Sequence, residues 1–235
     1  MVLLTHIVFG GIVLLAAAFQ IISNKGGRWH QWVGQLYFFS WLMMLITGWY
    51  FDVLHITCIG LFGLYYVLLG TRLGALRHKP FTWFEKGLVL SGFVLAAYIL
   101  YTAYRYGVRQ FWFMTTSLGL LGAYLLLTTI LDTGKHIFRK PLVQLNLGRY
   151  TWQFEHLTKM YVSLTAALIA FVMVQDYLQD VWLNFLVPLW SGLILTTASY
   201  FFFLKKFKLR TYKTTKTKVG KLNIMIESGG EDKYI

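Results

Sequence analysis

The chain has 235 residues, 57% of them hydrophobic and 13% charged, with 22 Lys and Arg against 9 Asp and Glu. Soluble domains carry about 25% charged residues, so this supply cannot cover a water-facing surface, and a soluble globular protein is excluded. The net charge of +13 is then read by position along a membrane protein, and no nucleic-acid partner is expected.

Apolar runs long enough to cross a ~30 Å hydrocarbon core recur along the chain and predict an all-α, polytopic membrane bundle of about seven helices. In order they cover Val2–Ser23, His30–Phe51, Leu54–Leu73, Trp83–Tyr104, Phe111–Leu131, His156–Tyr177 and Val181–Phe203. Ala16, Ala17 and Ala18 could be taken for a signal-peptide cleavage site. No Lys or Arg precedes the run and apolar residues continue to Ile22, so a retained helix is expected. The second span follows Lys25 and Arg28 and brings His30. The third carries Gly60, Gly63, Gly70 and Gly74 on one stripe, which lets another helix approach its backbone. The fourth opens after Pro80 with Thr82 and Glu85 at capping-box spacing. The seventh contains Pro188, where a lost backbone hydrogen bond predicts a kink. Residues 1–204 are expected to form the transmembrane domain and 205–235 a basic, disordered tail.

Orientation follows from the cations. They gather between the first and second spans, between the third and fourth (Arg72, Arg77, Lys79), between the fifth and sixth (Lys135, Arg139, Lys140, Arg149) and in the tail. The amino terminus is therefore expected outside and the carboxyl terminus in the cytoplasm, with the tail available to anionic lipid headgroups. Trp29, Trp32, Trp49, Trp83, Trp112, Trp152 and Trp182 read as interfacial anchors.

The lone Cys58 excludes internal disulfides and thiolate zinc sites. No carboxylate is expected at mid-membrane depth, which argues against a proton pump. G-x-S-x-G, H-E-x-x-H, P-loop and dinucleotide patterns are absent. Histidines remain. His6 and His55 are expected near the outer face, His30 and His156 near the inner face, and His78 and His136 in basic loops. His6, Gly10, Val13, Ala17 and Gln20 share one face, as do His156, Met160, Ser163, Ala167 and Ala170. Two imidazoles from facing helices at one depth suit a b-type haem, with Gly10, Gly34 and Gly63 as candidates to make room for the macrocycle. His6, Asp52 and His55 could instead hold a metal ion. Glu155 and His156 are adjacent and point about 100° apart on a helix, so they do not readily share one ion.

His6-Ile7, Gly10, Gln20, Lys25-Gly26-Gly27-Arg28-Trp29-His30, Gly34 and Tyr37, with the segment Trp152–Thr165 around His156 and Met160, resemble a bacterial multi-pass membrane family of unknown function. That family carries a first-helix histidine and a Gly-Gly-x-x-His lead-in to its second helix. Gln31 stands where family members often have Arg, and their Trp-Met-Ile-Arg-like segment has no counterpart here. The resemblance implies roles for His6, His30 and His156 and a bacterial inner-membrane location, but no reaction. A looser similarity of layout is to diheme b-type cytochromes. Three functions are consistent with these residues. One is electron transfer through haem or quinone at the histidine pairs, another a non-catalytic accessory subunit or assembly factor of a membrane complex. The third is a metal-dependent enzyme acting on an apolar substrate.

Overall fold

The computed structural model describes residues 1–23, 26–51, 53–77, 79–139, 151–175 and 178–228, the last stretch as backbone alone from 206 onward. Seven long helices and no strand are found among them: α1 Val2–Ile22, α2 Arg28–Gly48, α3 Leu54–Leu76, α4 Trp83–Val108, α5 Trp112–Asp132, α6 Thr151–Gln175 and α7 Val181–Ser228. A 3-10 turn, Trp49–Phe51, follows α2, and a single π-helical turn, Thr133–Ile137, extends α5. Six of these helices are long and apolar enough to cross a membrane, as expected of an integral membrane protein. The exception is α2, whose first turns carry Arg28, His30, Gln31 and Gln35 and lower its hydropathy.

Met1–Leu193 forms one compact unit and Ile194–Ile235 a second. In the first, α3 is central, with 67% of its span window buried against 17% for α1. It packs against α2, α4, α5 and α6, most extensively against α6, while α1 pairs with α2 and α4 with α5. The glycine stripe explains this. A Cβ on Gly63 would strike the Trp41 ring of α2 and come within 3.1 Å of Ala166 on α6. One on Gly70 would lie 2.9 Å from the Met160 sulfur, and one on Gly74 3.0 Å from the His156 ring. Bare backbone is what lets α2 and α6 close on α3.

The rest of the core follows the same logic. Trp41 and Val13 are fully buried, and Tyr37 nearly so; Tyr37 shares a 2.9 Å hydrogen bond with Ser163 of α6. The outer surface is strongly apolar instead, with Leu15, Val94, Leu127, Val174 and many other large side chains exposed, as lipid contact requires. Trp29, Trp32, Trp83 and Trp112, near helix ends, are each more than two-thirds exposed. The capping box at α4 is present: the Thr82 N–H donates to Glu85 at 2.8 Å. Pro188 lies within α7, where no break in the helix occurs.

In the second unit α7 continues through the basic segment to Ser228. The candidate membrane span of α7 ends at Lys205.

Candidate functional site

Antiparallel connection brings one set of helix ends together: the C-termini of α1, α3 and α5 and the N-termini of α2, α4 and α6. Among the described residues of the bundle, this end holds most of the charged side chains.

His30, in the first turn of α2, and His156, in the second turn of α6, meet here with ring centres 6.4 Å apart and planes 71° apart. The His156 Nδ1–H donates to the Gly70 carbonyl at 2.7 Å. A carbonyl only accepts, so in the neutral ring Nε2 carries the lone pair. His30 Nδ1 lies 3.4 Å from the Ser23 hydroxyl, and the Gln20 amide donates to the His30 carbonyl at 2.6 Å. Gly34 makes room for that Gln20 amide, which a Cβ would approach to 3.2 Å. Each ring is thus held at Nδ1 from its own side of the bundle, the pattern by which ligating histidines are oriented.

His6 and His55 share no hydrogen bond or ring contact. His6 Nδ1 is 3.0 Å from the Thr47 hydroxyl, and its ring meets Phe51 edge-on at 5.4 Å. His55 is 3% exposed, packs against Phe113 at 6.0 Å, and keeps Nε2 without a hydrogen-bond partner. The cause is the helix pairing, since α1 lies on α2 while the His55 ring is turned toward α5. Asp52, the third member of the expected metal set, lies outside the described residues, as does His78. Among the described residues no group of three or more His, Cys, Asp or Glu is arranged to hold a metal ion. Gly10 and Gly63, expected to leave space for a macrocycle, face Met44 and Trp41.

A second cluster lies beside His30 and His156. Lys159 is buried on α6, eight residues past Thr151 and so about 12 Å along the helix. Its ammonium donates to Asp132 of α5 at 2.6 Å and lies 5.7 Å over the Tyr66 ring. The π turn then swings Lys135 and His136 toward α6, where both engage Glu155; His136 Nε2 is 3.0 Å from its carboxylate. The His136 ring stacks face to face on Phe81 at 4.1 Å. Arg72 pairs with the fully buried Glu85, tying α3 to the cap of α4. His136, expected to be an ordinary loop residue, is therefore built into the bundle. Lys159 was missed as well, although a lysine inside an apolar span is itself the signal, because such a charge requires a partner.

Two imidazole nitrogens that share one metal ion place their ring centres roughly 6 Å apart, and the 6.4 Å between the His30 and His156 rings is compatible with that spacing. Comparison with family models, curated proteins and solved structures returned no match for this chain.

Proposed function

We propose that the chain is an integral membrane electron-transfer protein that holds one b-type haem between His30 and His156. The observation that carries this reading is the edge-on approach of the two rings to 6.4 Å, with Nδ1 of each engaged. A haem iron in that position supplies reversible one-electron transfer. The chain's own residues do the holding. Gly70 fixes the tautomer and direction of the His156 ring, and Gly74 leaves the ring its space. Around His30, the Ser23 hydroxyl lies at Nδ1 and Gln20 holds the backbone carbonyl, which positions the ring without fixing its tautomer. Only one such centre is proposed, because His6 and His55 are turned to separate neighbours.

In the same reading α2 is a seventh membrane crossing, the ends that carry His30 and His156 face the cytoplasm of a bacterial inner membrane, and the amino terminus lies outside. The distribution of Arg72, Arg77, Lys79, Lys135 and Arg139 supports that orientation.

The test is a visible absorption spectrum of the full chain purified in detergent from haem-replete cells, oxidised and then reduced with dithionite. The expected result is a Soret band with a sharp reduced α-band, lost in both His30→Ala and His156→Ala but retained in His55→Leu. A flat spectrum overturns the haem reading and favours the accessory-subunit role, to be followed by co-purification at fixed stoichiometry.

A further inference from the structure

At the same end of the bundle the helix termini line a cleft of about 280 Å³, which includes Glu155 but neither His30 nor His156 in its lining. Five cationic side chains line it: Arg77 and Lys79 after α3, Lys86 in the first turn of α4, and Lys135 and Arg139 after α5. The one carboxylate in its wall, Glu155, is already engaged by Lys135 and His136. The remaining cations have no carboxylate of the cleft to neutralise them. Such a concentration of like charge is unfavourable unless an anion offsets it. Aromatic side chains also line it, Phe81 stacked on His136 and Trp152. Arg77 and Arg139, both in its lining, have φ of 54° and 55°, a backbone conformation that costs an arginine energy and recurs at ligand clamps.

The cleft opens where α3, α4, α5 and α6 all leave their apolar spans, which is headgroup level. We propose that it binds the phosphate-bearing headgroup of an anionic phospholipid, with Arg77, Lys79, Lys86 and Arg139 contacting the phosphate and Phe81 and Trp152 flanking the glycerol region. Basic pockets between membrane helices recognise such headgroups by charge, in a salt-dependent way. The site is distinct from the basic C-terminal segment, and it does not depend on haem.

The experiment is thermal unfolding of the full chain in nanodiscs of pure phosphatidylcholine and of phosphatidylcholine with phosphatidylglycerol. Native mass spectrometry would count the phosphatidylglycerol retained. The expected result is stabilisation and retained lipid for the wild type and for a tail variant, Lys213→Gln with Lys216→Gln and Lys218→Gln. Lys79→Gln with Arg139→Gln should lose both, at about fivefold weaker affinity per cation removed. Lys86→Gln alone should show one such step, which covers the case of a poorly folding double variant. Equal retention in the cleft variants, or loss in the tail variant alone, overturns the proposal. So does full stabilisation by inorganic phosphate in phosphatidylcholine, which would make the cleft a site for a free phosphate compound.

Discussion

Removing the Lys159 ammonium while Asp132 remains strands a buried carboxylate against α6, and breaking a buried pair this way costs about 3–5 kcal/mol. Lys159→Met is therefore expected to lower the thermal midpoint in detergent sharply. Lys159→Met with Asp132→Leu should recover most of the loss, because neither charge is then left alone. Equal destabilisation in the single and double variants would show that the two side chains do not act as a pair. His55 presents the reverse case. Its Nε2 is buried without a partner, a state that costs about 1–3 kcal/mol. His55→Leu is expected to be neutral or stabilising in the same assay, and a marked fall in the midpoint would refute that. The pairing of His30 with His156 was legible from depth along their spans. Lys159 with Asp132 was not, because the two lie 27 positions apart on different helices and nothing local in either span announces the other.

Among elements, α3 sets the spacing of the bundle. Gly63→Ala would press a methyl group into the rigid, fully buried Trp41 ring, and overpacking of this kind costs about 1–3 kcal/mol. Gly70→Ala meets instead the flexible end of Met160 and should cost less, so the order of the two midpoints tests whether the stripe is the contact between α3 and its neighbours. The stripe and the α4 capping box were both visible in the sequence because each is a short-range pattern on one helix. Helix ends were less so. The described part of α6 already includes Thr151 to Glu155, ahead of the expected His156, so the helix continues into the polar zone. The π turn after α5 also escaped sequence reading, and it is what places Lys135 and His136 against Glu155.

For the whole molecule, hydropathy separates six clear spans from α2, whose polar first turns hold His30. The proposed crossing by α2 has a direct consequence for access from the two sides of a membrane. In a Cys58→Ser background, single cysteines at Gly26, Lys79 and Arg139 are expected to react with an impermeant thiol reagent from one side, and those at Tyr50 and Gln110 from the other. Labelling of Gly26 and Tyr50 from the same side would mean that α2 does not cross. The expectation that cations gather at one end came from their positions between alternate spans. The arrangement of helices was not, because it depends on which apolar faces meet, and most apolar faces here look alike.

The contact between Gly70 and His156 also has a meaning in time. The two residues are 86 positions apart, so at ordinary rates of synthesis roughly 4–17 s separate their emergence from the ribosome. Throughout that interval α3 is already made, and its bare glycine stripe faces whatever surrounds it in place of α6. Biogenesis of this chain therefore includes a period in which its central helix lacks its main partner. A nascent chain arrested before Thr151 should be captured in that state by crosslinking from Gly70 or Gly74 to lipid or to the insertion machinery, and should be released once α6 has followed.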